Sequence, residues 1–214
     1  VIRAIERLDF RTKEAYKTLR TNLSFAGKNV KVISLTSCTP NEGKTSVSFQ
    51  LCLSLAESGK QTILVDADLR KSVLRGRYKA NREKYGLSHY LSGQVELDDA
   101  CCRTNVNNFD IIFAGPVPPN PSELLGGDAF RNMLEVLRMK YDYVIVDTPP
   151  LGSVIDAAIV GAICDGTVIV VESGAISYKF VQNVKEQLNK VGCRILGCVL
   201  NKVNTKKNPY YGKY

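Results

Sequence analysis

A short segment near the start of the chain combines the residue types that bind the phosphates of a nucleotide. Residues 37–46 read SCTPNEGKTS, which nearly matches the pattern GxxxxGK[ST], with Cys38 where the first glycine is expected. Such a loop presents successive backbone N–H groups at a helix N-terminus to phosphate oxygens. Lys44 would place a cation at the outer phosphates, and the Thr45 hydroxyl would bind Mg²⁺. The expected nucleotide-binding residues are Asn41, Glu42, Gly43, Lys44, Thr45 and Ser46.

Three carboxylates follow apolar runs that are typical of strands. Asp66 and Asp68 end the run ILVDAD, and Asp147 ends the run VIVD. Residues two apart on an extended chain point the same way, so Asp66 and Asp68 are expected on one side. Carboxylates in such places hold Mg²⁺ directly or through water, or accept a proton. Each acid alone also fits a helix cap or a turn, but three beside a phosphate loop favour a catalytic site.

These features predict a nucleoside triphosphatase or a phosphotransferase. No GxGxxG segment is present, so a dinucleotide-binding site is not predicted. The single histidine, His89, lies in a polar, irregular region, which argues against catalysis by histidine.

Short, almost entirely apolar segments alternate with helical patterns along the chain. Strands are expected at residues 30–35, 62–65, 110–113, 143–146, 167–171 and 194–200. Helices are expected at residues 5–25, 46–57, 127–140, 154–164 and 178–191. Strands without polar alternation indicate a parallel sheet covered by helices on both faces, and ligands of such sheets bind beyond the carboxyl ends of the strands. The sequence therefore predicts an α/β fold of the P-loop NTPase class.

The composition sets the domain organisation. The chain has 214 residues, 44% of them hydrophobic and 23% charged, which is typical of a globular domain with a real core. We expect one domain over residues 1–204, with a helix within residues 1–27, and a flexible tail over residues 205–214. Residues 70–108 are expected to be irregular with short helices, and 115–121 to be a proline-rich connector.

The charges and apolar runs limit the partners. The net charge of +8 is concentrated in residues 1–31 and 202–214, which suggests contact with an anionic membrane face, an acidic partner or nucleic acid, or simply solvated ends. Nothing resembles a nucleic-acid-binding module, so no nucleic acid partner is expected. No apolar run approaches the ~18–20 residues of a membrane span, and no signal-peptide pattern is seen. Seven cysteines without a CxxC pair predict reduced thiols.

The chain resembles, over essentially its whole length, the bacterial protein-tyrosine kinases of capsule and exopolysaccharide assembly. Three motifs carry this resemblance: Pro40 ahead of GKTS, the run ILVDADLR at residues 63–70, and VIVDTPP at residues 144–150. The DxDxR element within the second motif is the most specific. The run EAYKTLRTNL at residues 14–23 is similar to the family's ExxRxxR helix.

The resemblance implies an ATP- and Mg²⁺-dependent kinase and assigns roles to the residues above. The catalytic residues would be Lys44, Asp66, Asp68 and Asp147. Thr45 and Asp68 would hold Mg²⁺, with Asp147 supporting it through water. Asp66 would orient the tyrosine hydroxyl and accept its proton, since free tyrosine has a pKa near 10 and needs such help.

Two further residues near the strand ends have two interpretations each. Arg70 is expected either to bind the phosphates or to pair with a carboxylate. Asn201 would hydrogen-bond the adenine, as in related ATPases, or serve as a plain turn residue.

The resemblance also implies how the kinase assembles and what it phosphorylates. Tyr210, Tyr211 and Tyr214 lie within the last five residues and would be phosphoacceptors, modified by a neighbouring subunit. A ring-shaped homo-oligomer would form through contacts of Glu14, Lys17 and Arg20. Lys17 stands where the family has arginine and lacks its bidentate fork, which predicts a weaker contact.

The expected partners are a transmembrane adaptor of polysaccharide assembly and a cognate tyrosine phosphatase. The expected location is the cytoplasm, peripheral at the inner face of the membrane. Two other interpretations stay open. One is a partition or septum-positioning ATPase, although the early lysine of its KGG-type loop is missing here. The other is an ATP-driven assembly switch without tyrosine phosphotransfer.

Overall fold

A single mixed sheet organises the part of the chain that the computed structural model describes, which is residue 2 and residues 8–78 and 85–204. Its strands are β1 (Val32–Ser37), β2 (Thr62–Asp66), β3 (Cys101–Arg103), β4 (Phe109–Ile112), β5 (Tyr143–Asp147), β6 (Gly166–Glu172) and β7 (Ile195–Asn201). Their spatial order is β3–β4–β2–β5–β1–β6–β7, and each neighbouring pair is parallel except β3 and β4. The predicted mostly parallel sheet is confirmed.

Helices pack on both faces of this sheet. In the described residues they are α1 (Phe10–Ser24), α2 (Lys44–Glu57), α3 (Leu74–Arg77), α4 (Leu87–Leu91), α5 (Leu97–Ala100), α6 (Pro121–Gly126), α7 (Asp128–Lys140), α8 (Asp156–Gly161) and α9 (Tyr178–Lys190). Ile33 and Leu35 of β1 are buried in a cluster with α1 and α2, whereas Val32 is buried in a cluster with α7. Since successive strand residues point to opposite faces, the apolar run of β1 is buried on both of them.

The helix bounds differ from the expected ones at several points. α1 begins at Phe10 rather than at residue 5, because Asp9 caps it and accepts the backbone N–H of Thr12 at 3.0 Å. The connector expected at 115–121 is followed by α6, which Pro121 opens. α8 is shorter than expected, and the three-residue edge strand β3 was not predicted.

The N-terminal helix is held against the domain through α2. Leu23 is buried in the core cluster of α2, and the Arg20 guanidinium donates to the backbone carbonyl of Ser54 at 2.6 Å. All seven cysteines lie among the described residues, and none of them forms a disulfide bond. The predicted tail at 205–214 and its three tyrosines lie outside the described residues.

No helix within residues 8–78 and 85–204 is both long and apolar enough to cross a membrane.

Candidate active site

The central strands bring the phosphate loop and the carboxylates to one edge of the sheet. β5 lies between β1 and β2, and Asp66 is the register partner of Asp147. Leu35 of β1, just before the loop, also pairs with Asp147. Because the strands are parallel, their carboxyl ends meet at the same edge, where α2 begins at Lys44. The predicted grouping of loop and acids is therefore present.

Lys44 lies between two of these carboxylates. Its Nζ is 3.4 Å from Asp68 Oδ2 and 3.6 Å from Asp147 Oδ2, and the residue is only 8% exposed. Burial lowers the pKa of the ammonium, but the charges of Asp147, Asp68 and Asp66 outweigh burial and raise it. Lys44 is thus a permanent cation in a pocket with an excess of negative charge.

Asp147 is fully buried and accepts hydrogen bonds from two side chains of α2. Its Oδ2 accepts the hydroxyl of Thr45 at 2.6 Å, and its Oδ1 accepts the hydroxyl of Ser48 at 3.0 Å. Burial raises the pKa of Asp147, and Lys44 and the two hydroxyls offset part of that rise. Thr45 and Asp147 therefore lie together, as the predicted Mg²⁺ site requires.

Asp66 is as deeply buried as Asp147 but has fewer hydrogen-bond and ion-pair partners. It is 1% exposed and accepts the hydroxyl of Ser72 and the backbone N–H of Asp68, the latter at 3.3 Å. Burial and the neighbouring charge of Asp147 raise its pKa to about 7. A carboxyl with this pKa is matched to proton transfer near neutral pH.

The DxDxR segment turns away from the sheet after Asp68. Asp68 Oδ1 accepts the backbone N–H of Lys71 at 3.0 Å, which leaves Oδ2 facing Lys44. Arg70 forms a two-pronged pair with the fully buried carboxylate of Asp156, with Nε–Oδ2 at 2.7 Å and Nη2–Oδ1 at 3.1 Å. Burial raises the pKa of Asp156, but the hydrogen bonds from Arg70 and Ser122 lower it overall. The structure thus shows the carboxylate pairing of Arg70, and its role at the nucleotide stays a prediction.

The phosphate loop has a closely packed backbone. Gly43 has φ of 91°, and a Cβ there would lie 2.2 Å from Asn201 Nδ2, so glycine is required. Asn201 Nδ2 donates to the carbonyl of Glu42 at 2.8 Å. The Glu42 carboxylate is buried and accepts the backbone N–H and the hydroxyl of Thr39. Glu42 and Asn201 therefore shape the loop directly, whatever further contacts they make with a nucleotide.

The residues predicted to contact another subunit lie on α1. Lys17 pairs with Glu14 at 2.7 Å on the exposed side of the helix, whereas Arg20 is engaged by α2. Their subunit contacts stay predictions.

Five residues near the site were not predicted from the sequence. They are Ser48 and Ser72, which donate to Asp147 and Asp66; Arg77, which donates to the Ser46 hydroxyl; and Glu172 and Lys202, which contact the loop. Ser48 follows Lys44 by one helical turn, a spacing that places both on one face of α2 and was a usable signal. Ser72 lies six residues after Asp66, and its contact depends on the turn that follows the DxDxR segment. Arg77, Glu172 and Lys202 come from distant segments and have no local signal.

The donor set suits a small hard cation that is shared with a ligand. Thr45, Asp68 and Asp147 offer oxygen atoms around Lys44, and no cage of three or more His, Cys, Asp or Glu side chains occurs in the described residues. Mg²⁺ is usually held by one or two carboxylates together with substrate phosphates rather than by an all-protein cage. The residues present therefore fit Mg²⁺ bound with a nucleotide.

A loop of this kind between β1 and α2, with acids at the ends of neighbouring parallel strands, defines a P-loop nucleotide-binding protein. The family model described as "AAA domain" matches residues 30–197. Tyrosine-protein kinase CpsD of Streptococcus agalactiae is 44% identical over 206 residues, which cover 95% of this chain and 90% of that protein. The kinase domain of the Escherichia coli tyrosine kinase ETK superposes with a TM-score of 0.84 at 37% identity, over 90% of this chain and 78% of that one. The chain belongs to the bacterial tyrosine-protein kinase family and is an enzyme of that class.

The fold is shared more widely than the family. The septum site-determining protein MinD of Pyrococcus horikoshii, complexed with Mg-ADP, superposes with a TM-score of 0.69 at 26% identity, over 81% of this chain and 71% of that one. The lower identity and coverage favour the kinase interpretation over that of a septum-positioning ATPase.

Proposed function

We propose that the protein uses Mg-ATP to phosphorylate tyrosines in the C-terminal tails of neighbouring copies of itself. The observation that carries this proposal is that the buried Lys44 ammonium and its two carboxylates lie next to a further carboxyl group whose pKa is raised. Lys44 lies between Asp68 and Asp147, while Asp66 stands beside them with a pKa raised to about 7. An acid of this kind can accept the proton of a hydroxyl nucleophile, and the family to which the chain belongs favours the hydroxyl of tyrosine as that nucleophile.

The chain's own residues supply positioning, charge and proton acceptance. The loop amides and Lys44 bind the outer phosphates and neutralise the charge that spreads over them during transfer. Thr45, Asp68 and Asp147 would hold the Mg²⁺ ion, which would neutralise negative charge on the phosphate oxygens. Asp66 orients the tyrosine hydroxyl and accepts its proton as the phosphoryl group is transferred.

The acceptors in this proposal are Tyr210, Tyr211 and Tyr214. They belong to a basic segment with Lys206, Lys207 and Lys213. Each phosphotyrosine adds close to two negative charges to it. Phosphorylation therefore reverses the charge of the tail and would weaken the packing of subunits in a ring held by Glu14, Lys17 and Arg20.

The proposed cellular role is the regulation of capsular or extracellular polysaccharide synthesis and export. A transmembrane adaptor would recruit the kinase to the inner face of the membrane and complete its active state. A cognate tyrosine phosphatase would restore the unmodified tail. The family membership supports these partners, and the basic ends of the chain are compatible with a membrane-proximal position.

The test is intact-protein mass with peptide mapping after incubation with Mg-ATP, with and without an adaptor tail. Wild type should gain phosphate in steps that map to the three tail tyrosines. Lys44→Met and the triple change Tyr210→Phe, Tyr211→Phe, Tyr214→Phe should gain none there. ATP hydrolysis without phosphorylation, even with the adaptor, would reject the kinase proposal and favour an assembly switch or a partition-type ATPase.

A further inference from the structure

The outer side of the phosphate loop is held by residues from the ends of β6 and β7. Lys202 Nζ donates to the carbonyl of Asn41 at 2.6 Å and pairs with Glu172 Oε2 at 2.8 Å. The backbone N–H of Glu172 donates to Glu42 Oε2 at 2.9 Å. Glu172, Lys202 and Asn41, which we call the outer clamp, therefore join three segments that are far apart in sequence.

Asn41 and Lys202, which this hydrogen bond joins, share an unusual backbone conformation. Asn41 has φ of 69° and Lys202 has φ of 55°. Besides them, Asn108 is the only non-glycine residue with positive φ in the part of the chain that is described. Left-handed conformations are disfavoured for residues with a side chain, and they persist where the surrounding contacts over-determine them. The hydrogen bond between Lys202 and Asn41 thus links two residues in the left-handed conformation.

The clamp acts on the part of the loop that nucleotide binding uses. Asn41 precedes Glu42 and Gly43, and Gly43 is the residue before the first turn of α2. A loop that binds phosphate through backbone N–H groups must hold those groups in a fixed direction. In a trans peptide the carbonyl points opposite to the N–H of the next residue. The hydrogen bond from the Lys202 ammonium to the Asn41 carbonyl therefore fixes the direction of the Glu42 N–H.

We propose that Lys202 is a positioning residue for the nucleotide and that Glu172 holds Lys202 in place. The clamp keeps the phosphate loop in its binding conformation before the nucleotide arrives, so that less ordering remains for the binding step. This inference rests on the proposed nucleotide site. It adds two residues that contact the loop rather than the reacting atoms.

The first test compares nucleotide affinity in matched lysine variants. Lys202→Met removes the ammonium and keeps most of the stem, and Lys28→Met makes the same change at an exposed turn between α1 and β1. The Kd for Mg-ADP and the KM for Mg-ATP should rise about three- to tenfold in Lys202→Met, while kcat and Tm stay close to those of Lys28→Met. Equal Kd and KM values in the two variants would overturn the proposal. A loss of affinity in Lys202→Met that is accompanied by a large drop in Tm would overturn it too, because the effect would then be one on stability.

The second test asks whether Glu172 acts through Lys202. Glu172→Gln should raise the Kd for Mg-ADP less than Lys202→Met does. The double variant should match Lys202→Met alone, because one clamp is removed in both. Multiplicative effects of the two changes would contradict a shared clamp.

The third test needs no nucleotide. Hydrogen exchange of the backbone amides of Thr39, Asn41, Glu42 and Gly43 should be faster in Lys202→Met than in Lys28→Met, with exchange of the sheet unchanged. Equal exchange would reject the clamp. If wild type binds no Mg-ADP, the proposed function fails on that measurement, and the exchange result still decides the clamp.

Discussion

The ends of β2 and β5 are adjacent and equally deep, yet they offer two different carboxylates. Asp147 at the end of β5 is bonded to two hydroxyls of α2 and lies against Lys44. Asp66 at the end of β2 accepts one hydrogen bond from the hydroxyl of Ser72 and a longer one, at 3.3 Å, from the backbone N–H of Asp68. Position in the sheet therefore sets the burial of both residues, and their partners set their chemistry. In the proposed mechanism, Asp147 supports the Mg²⁺ ion and Asp66 accepts the proton.

The largest difference between the two ends should appear in phosphotransfer itself. Asp66→Asn keeps the shape of the side chain but removes the proton acceptor. We expect transfer to tyrosine to fall by about 10²–10⁴-fold, the usual share of general base catalysis, with the Kd for Mg-ADP nearly unchanged. Rapid-quench measurement of phosphotyrosine gives the rate. Full transfer in this variant with normal nucleotide binding would remove Asp66 from the mechanism.

Asp147→Asn should act on the cation instead. Asp147 fixes the Thr45 hydroxyl, and supporting groups around metal sites typically contribute about 10–100-fold in metal affinity. The Mg²⁺ concentration that gives half-maximal transfer should therefore rise by about that factor. A magnesium titration of activity measures this effect, with Asp66→Asn as the contrasting variant. If both variants needed the same magnesium concentration as wild type, the distinction between the two ends would be lost.

The difference in pKa should also appear as a pH dependence of stability without nucleotide. The pKa of Asp66 is raised from 3.8 to about 7, so above that pH folding buries a charge that the unfolded chain keeps in water. The free energy of unfolding should therefore rise as the pH falls from about 8 to about 5, by at most about 1.4 kcal/mol per pH unit for one carboxyl. The lowered pKa values of Asp156 and Asp165 change stability only at pH values below about 4.

Urea denaturation at several pH values measures this slope. Asp66→Asn should flatten it, leaving the part that comes from the raised pKa of Asp147. Asp99→Asn, at an exposed carboxyl on α5, should keep the wild-type slope. An unchanged slope in Asp66→Asn would show that another group is responsible.

The smallest expected effect comes from the hydroxyl beside Asp66. The hydrogen bond from Ser72 lowers the pKa of Asp66, so Ser72→Ala should move the acidic limb of the pH–rate profile to higher pH. The lost hydrogen bond should cost about 1 kcal/mol of stability. Ser24→Ala, which removes a hydroxyl bonded to a carbonyl of α1, serves as the control and should leave the pH–rate profile in place. A limb that stays where it is in Ser72→Ala would mean that Ser72 does not tune Asp66.

Local patterns were enough to predict the loop, the acids and the class of sheet. GKTS after one apolar run and aspartates after two others mark strand ends, because buried parallel strands are continuous in hydrophobicity and end abruptly at polar residues. Local patterns predicted less well the helix ends and strands that depend on only one or a few residues. The start of α1 depends on a cap at Asp9, and β3 spans only Cys101–Arg103 and forms by pairing with β4.

The sequence by itself determined which residues could do phosphoryl chemistry and at which edge of a sheet they would lie. The tertiary structure alone decided their partners. Arg70 meets Asp156 across 86 positions, Glu42 meets the backbone of Glu172 across 130, and Lys202 reaches Asn41 across 161. Such contacts depend on strand order, register and helix packing, which no short stretch of sequence specifies. For the same reason, the difference between Asp66 and Asp147 became visible only when Ser72, Thr45 and Ser48 were placed around them.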